Sequence, residues 1–400
     1  MGNIRFSACL TLFVAMGGNT ASAYAQSEWE TRGNVALQFQ AFTSDADHSA
    51  DHRSNVSLAS EIEFYRSIGD SGSITITPFA RIDGRDDERT HVDFREFIYT
   101  HVADSWEARI GLGKVFWGVA ESVNFVDVIN QFDSVENDDA SAKLGQPMIN
   151  VLLPRDWGDI DLYILPGFRE RTFAGVDGRP RTPVIINDDL AEYESSSEER
   201  HVDVAARVST TLGIWDVGLS AFSGTARDPD IRFDPERGEL FPFYYQTTQI
   251  GLDIQATLES WLLKAEVVNR QADEIEDHFA LVSGFEYSFF DIRESGADLG
   301  IVSEWLFDDR DDDIGQPFQN DLLLGLRLAL NDEQSLEGLL GVFADLDGGG
   351  QIISLEGSRR FGDNIKASLL MRLWENADDD PILSLFSNED FIQLDIALFF

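Results

Sequence analysis

The sequence predicts an all-β fold: a transmembrane antiparallel up-and-down β-barrel of 16–18 strands, best count 18, with short turns at one end and long acidic loops at the other. Three observations predict it. Segments of about ten residues with alternating apolar and polar side chains fill the chain from residue 32 to residue 400, as expected of strands with one face on lipid and the other on water. The connections between these segments alternate between short and long. After residue 25, no run approaches the roughly 20 apolar residues that a membrane helix needs.

Composition narrows the function classes. The 400 residues include 72 acidic and 30 basic side chains, a net charge of −42. Such a surplus of negative charge opposes binding to nucleic acid and to anionic lipid surfaces, which rely on Lys and Arg. Disorder is excluded as well, because the chain is 43% hydrophobic and 11% aromatic.

The elements follow in order. Residues 1–25 read as a secretory signal: Arg5 gives the positive region, Ala8 to Met16 the short apolar stretch, and Ala23-Tyr24-Ala25 a small-x-small cleavage site. The only cysteine, Cys9, lies inside it, so the mature chain is expected to lack disulfides, thiolate metal sites and a cysteine nucleophile. Residues 26–400 then form one barrel domain. Strands are expected near 32–42, 54–66, 72–83, 91–102, 105–117, 146–154, 159–168, 201–211, 214–224, 244–257, 261–271, 277–289, 298–307, 318–330, 336–345, 351–361, 365–375 and 391–400. An even count returns both termini to one side. In 318–330, Leu322, Leu324, Leu326 and Leu328 form an outward stripe opposite Asp321, Gly325 and Arg327. Two segments break parity. Glu96 shares a face with Val92, Phe94 and Ile98, and Lys114 is in line with Ile110 and Leu112, so each needs a bulge or a place above the membrane.

The last strand, FIQLDIALFF, ends on Phe400 with Ile392, Leu394, Ile396 and Leu398 on the same face. It resembles the closing strand of Gram-negative outer-membrane barrels, where such an ending is an assembly signal; a buried edge strand of a soluble domain shares the alternation. On the barrel reading the short turns are periplasmic and the long loops extracellular. Those loops carry Glu136 to Asp139, Asp308 to Asp313 and Asp378 to Asp380. Trp106, Trp215 and Trp261 follow short turns, and Phe289 and Phe400 end returning strands, which suits a membrane-interface girdle. Ordinary core aromatics would look similar.

Inward positions hold the candidate lumen and selectivity residues Arg109, Arg207, Asp253, Lys264, Glu266, Glu286, Glu304, Arg327 and Arg372. Arg or Lys on the lipid face would cost about 2–4 kcal/mol at the midplane, so their parity supports a wet interior. They either bias which solutes pass or pair across strands and stiffen the wall.

The segment Gly111 to Asp133 carries a Trp117-Gly118 step and the run Val126-Asp127-Val128-Ile129-Asn130. Here the chain resembles a broad group of proteobacterial porin-like barrels, and weaker likeness over GLDIQATLESWLLKAEVV and NDLLLGLRLALND extends it across most of the chain. The resemblance implies an outer-membrane channel for passive diffusion of small hydrophilic solutes. Segment 118–145 would either fold inward as a constriction or pack on the wall, with Trp117, Glu121 and Asp127 as its candidate residues. Val119 to Ile129 alternates poorly, as a short helix or a folded loop would. An acidic lumen favours cations or neutral solutes.

The implied partners are outer-membrane lipid and lipopolysaccharide, the barrel-assembly machinery through the last strand, and small hydrophilic solutes. Divalent cations at the acidic loops and a homotrimer are further candidates; no cofactor is implied. Carboxylates suit Ca²⁺ or Mg²⁺, but the spacing matches no defined calcium loop, and solvated charge explains the runs as well. His48 and His52, beside Asp47 and Asp51, are the one cluster a rim hydrolase could use, and no nucleophile elbow or phosphate loop accompanies it. The chain therefore reads as a non-enzymatic channel, with an occluded structural or surface-binding barrel as the alternative.

Overall fold

The computed structural model describes residues 28–50, 52–137, 142–310, 318–377, 380 and 382–400. The expected signal with Cys9, together with Asp51, Asp138, Asp139, Asp311 to Asp313, Asp378 and Asp379, lies outside the described residues. Eighteen strands form the barrel: β1 (Glu30–Phe42), β2 (Ser54–Ile68), β3 (Gly72–Asp83), β4 (Val92–Val102), β5 (Glu107–Gly113), β6 (Gln146–Arg155), β7 (Gly158–Pro166), β9 (Val202–Leu212), β10 (Trp215–Thr225), β13 (Gln246–Leu258), β14 (Trp261–Ala272), β15 (His278–Phe289), β16 (Asp298–Asp308), β17 (Asn320–Ala329), β18 (Glu337–Asp345), β19 (Gln351–Phe361), β20 (Ile365–Glu375) and β21 (Phe391–Phe399). Each pairs antiparallel with the next. The ring closes where β21 meets β1, from Asn34 opposite Phe399 to Phe42 opposite Phe391. Closure leaves no free edge, so every strand in the band has its backbone bonded on both sides. No helix among the described residues is long and apolar enough to cross a membrane.

Every expected segment is a strand, and the periodicity explains why. Along β17, Leu324, Leu326 and Leu328 are exposed on the outside while Asp321, Leu323 and Gly325 are buried inside. Two-residue hairpins fix register at the short-turn end: Leu212 is opposite Trp215 and Leu258 opposite Trp261, with Gly213 (φ +70°) and Glu259 (φ +54°) taking the left-handed conformation such turns require. Trp106, Trp215, Trp261, Phe289 and Phe400 are all exposed on the outer surface at this end. Tyr287 joins them, 4.7 Å from Trp261 and 4.8 Å from Phe289 between ring centres.

The parity conflict in β4 is a bulge. Thr77 is opposite Glu96 and Pro78 opposite Phe94, leaving Arg95 as the extra residue. Val92 and Phe94 point out before it and Phe97 and Tyr99 after it, so Glu96 and Ile98 turn inward. The conflict at Lys114 has another cause. β5 stops at Gly113, short of the expected residue 117, and Lys114 lies beyond the last ladder pair, Gly113 with Gln146.

The long loops hold structure that the strand pattern did not announce. β8 (Glu192–Tyr193), β11 (Asp230–Asp234) and β12 (Glu239–Tyr244) form a second small sheet above the barrel. The main apolar core lies inside the barrel, where a loop meets the inner wall.

Candidate functional site

The described residues of segment 114–145, 114–137 and 142–145, leave β5 and fold into the lumen as an irregular loop; the helical alternative for Val119 to Ile129 does not form. Its neck is closed by Asn130, whose side chain accepts from Val115 N and donates to Gly113 O and Leu144 O. At the Trp117-Gly118 step the chain turns with Gly118 at φ +137°, and a Cβ there would lie 2.1 Å from Asn124 Oδ1, so only glycine fits.

Two wall carboxylates grip the loop backbone. Glu266 on β14 accepts Val119 N at 2.7 Å and Ala120 N at 3.0 Å on one oxygen, and Val126 N at 3.3 Å on the other. Glu304 on β16 accepts Glu121 N at 2.8 Å, Ser122 N at 2.8 Å and Ser122 Oγ at 2.6 Å. Consecutive N–H groups converging on a carboxylate make an anion nest, and here the anion belongs to the barrel. Both carboxylates are fully buried.

Apolar contact adds to the grip. Trp117, Phe125, Val126, Val128 and Ile129 pack on Tyr163, Leu165, Phe222, Val268, Val302 and Leu306, which face inward from β7, β10, β14 and β16. Each buried side chain of this size contributes about 1.5–3 kcal/mol. On the opposite wall, Arg81 holds Glu136 with two bonds of 2.7 Å, and the bulged Arg95 places its guanidinium 2.6 Å from Asp133. Burial alone would raise the Asp133 carboxyl; His91, Arg95 and the Thr172 hydroxyl outweigh it and bring it down to about 2. Asp127 and Lys143 are ion-paired in the loop, burial pushing the carboxyl up and the ammonium down.

The candidate lumen residues divide into two sets. Glu266, Glu304, Lys264, Asp253 and Arg207 are sequestered. Arg207 holds Asp253 through bonds of 2.6 and 2.8 Å and lies 5.5 Å over Trp117, while Lys264 sits 3.9 Å from Glu121 and 4.0 Å from Glu304. Arg109 and Arg327, on the inner face near the short-turn end, are partly open to solvent, their side chains 43% and 37% exposed. Arg327 bridges Glu121 of the loop at 2.6 Å and Glu286 of the wall at 3.4 Å. Arg109 pairs with Glu107 at 2.7 Å. Arg372 points inward from β20 and is buried.

On the β18–β21 side, the described part of loop 376–390 packs on the inner wall: Leu383 and Phe386 meet Trp374, Phe391, Phe42 and Ile352. Between the first inserted loop, the β7–β9 connection and the barrel wall lies a cavity of ≈ 50 Å³ lined by Gln40, Arg89, Glu136, Arg179, Phe391 and Gln393. Of these rim residues, Arg179 and its partner Glu389 are not apparent in the sequence, where both sit in loops without periodicity. Among the described residues no three carboxylate, imidazole or thiol groups converge as metal ligands. His48 pairs with Glu389 at 3.1 Å and His52 bonds the Asp177 carbonyl at 2.8 Å.

A closed even-stranded antiparallel barrel, apolar outside and charged within, with a loop folded into its lumen, has the form of a transmembrane β-barrel. No family model matches the chain, and no curated protein matches it. Among solved structures, it is similar to OmpT, an outer membrane protein of Vibrio cholerae in its trimer form, at TM-score 0.46 and 9% identity over 94% of this chain and 99% of that one. It is also similar to a triple mutant of Rhodopseudomonas blastica porin, at TM-score 0.45 and 12% identity over 93% of this chain and 100% of that one.

Proposed function

We propose that the protein is an outer-membrane channel for passive diffusion of small hydrophilic solutes, preferring cations or neutral molecules, and that it is not an enzyme. The observation that carries this reading is the set of partly exposed charges on the inner face near the short-turn end, Arg109, Arg327 and Glu121, beside a loop that wall carboxylates Glu266 and Glu304 hold in place. A barrel serving only as a scaffold has no need to keep Arg109, Arg327 and Glu121 partly open to water beside a gripped loop. The inner face's exposed Glu356 and half-buried Glu61, Glu63 and Asp395 set its sign. Residues 1–25 direct export, 26–400 form the single barrel domain, β21 engages the assembly machinery, and the exposed aromatic row anchors in the lipid interface beside lipopolysaccharide. Trimeric association and divalent cations between acidic loops belong to the same reading.

The test is planar-bilayer conductance with a liposome-swelling series of sugars, amino acids and organic ions. Steps in current with a reversal potential favouring cations are expected. Protein that inserts and passes neither ions nor solutes would overturn the channel. The second reading, a barrel with an occluded lumen, is favoured by one observation: two apolar clusters pack loops on the inner wall.

A further inference from the structure

We propose that Arg179 is the latch of an extracellular lid: one buried guanidinium holds three loops closed over the cavity at the β20–β21–β1 wall. The inference deepens the channel reading and rests on it for the lid's purpose, but its geometry stands separately. Arg179 lies in the long β7–β9 connection, and its side chain is 0% exposed. Nε donates to Glu389 Oε2 at 2.9 Å and NH2 to Asn388 O at 2.8 Å, both in the β20–β21 loop. NH1 donates to His52 O at 2.8 Å and Ser44 O at 3.3 Å, both in the β1–β2 loop. The guanidinium also lies 4.1 Å over the Phe42 ring at the top of β1.

The neighbouring contacts repeat the pattern. Glu389 takes a second bond from the β1–β2 loop through His48 at 3.1 Å. Ala50 N donates to His48 Nδ1 at 3.2 Å, so Nε2 carries the proton shared with Glu389. Asn388 reaches Asp47 at 2.7 Å, His52 reaches Asp177 O at 2.8 Å, and Ser49 reaches Val176 O at 3.3 Å. Apart from the Ala50–His48 bond within the β1–β2 loop, each of these hydrogen bonds joins one loop to another rather than a loop to the wall. A planar fork with five donors suits such a junction because it satisfies several acceptors in fixed directions at once. Beneath it, Arg179 and Pro180 form one side of the cavity that Gln40 and Gln393 line from the barrel. Within that cavity Gln40 Oε1 is buried without a partner, a site for a donor group entering from outside once the loops part. A buried charge that loses its partners is strongly unfavourable, so under this proposal the three loops part together, exposing the guanidinium to water, rather than one at a time.

The experiment reads access, independent of current. Gln393→Cys is introduced into the full-length chain in outer membranes and reacted with a membrane-impermeant maleimide from the extracellular side, alone and combined with Arg179→Ala or the gentler Glu389→Gln. Heat-modifiable gel mobility verifies that each barrel is folded. Labelling is expected to rise about tenfold or more with Arg179→Ala, and less with Glu389→Gln. Adding Ser49→Cys with Val176→Cys, oxidised to tie the loops, should return it toward the parent rate until reductant is added. Equal labelling in folded parent and variant barrels would overturn the latch. Faster labelling in a barrel that never conducts would overturn the channel and leave the latch standing.

Discussion

Replacing Glu304 by Gln tests whether wall carboxylates hold the inward loop. The exchange keeps volume and leaves one acceptor oxygen, but turns the other into an NH2 that faces donors. One backbone contact is lost, the bond from Glu121 N or the one from Ser122 N; in the second case the Ser122 hydroxyl rotates and accepts from the new NH2. Bonds to a charged acceptor contribute about 1.5–3 kcal/mol each, and the remaining ones weaken when the charge goes. Losing one therefore removes about 1.5–3 kcal/mol of local stability, or about one to two powers of ten in the opening equilibrium. Hydrogen–deuterium exchange of the solubilised barrel reads this directly. Amides of Glu121 and Ser122 should lose protection by that factor. Those of Val119, Ala120 and Val126, bonded to Glu266, should change less. Unchanged exchange at residues 121 and 122 would refute the claim that Glu304 holds the loop.

Two further outcomes follow from where charges sit. Arg327→Gln should move the reversal potential toward cations, because it frees Glu121 and Glu286 on the inner side; Arg207→Gln, which strands the buried Asp253, should cost about 3–5 kcal/mol in thermal unfolding and leave selectivity nearly unchanged. Glu170, in the β7–β9 loop, is pushed up to about 7 by burial and by Glu199, Asp188 and Asp189. Its folded value exceeds the ordinary 4.5, so the folded loop binds the extra proton: stability is greatest below that value and falls as pH rises to about 7. Glu170→Gln should flatten this slope, read as pH-dependent protease resistance of residues 167–201.

Strand placement was legible because a membrane barrel obeys one rule at every position. Lipid outside and water or protein inside impose a period of two, and the departures at Glu96 and Lys114 each allow a bulge or a place above the membrane. The register shift makes the first a bulge, and the second reflects a strand that ends at Gly113 instead of the expected 117. The small loop sheet had weaker signals, since β11 and β12 are short, yet the run Asp234 to Gly238 between them is a turn that could have been read.

The site was legible in membership and illegible in pairing. Glu266 and Glu304 could be placed on the inner face by parity, but parity treats them like Glu61 or Glu356. What separates them is the arrival of backbone N–H groups from a loop about 140 to 180 residues earlier in the chain, and no local pattern encodes that meeting. The same distance hid Arg179, whose partners lie over 100 residues to either side. Irregular loops have no periodicity to read, so their buried charges become visible only once the strands fix where each loop begins. In this barrel the wall is specified locally, strand by strand. The packing of the lumen is governed by contacts of high sequence separation, so substitutions at Glu304, Glu266 or Arg179 should change access to the lumen while leaving the strand ladder intact.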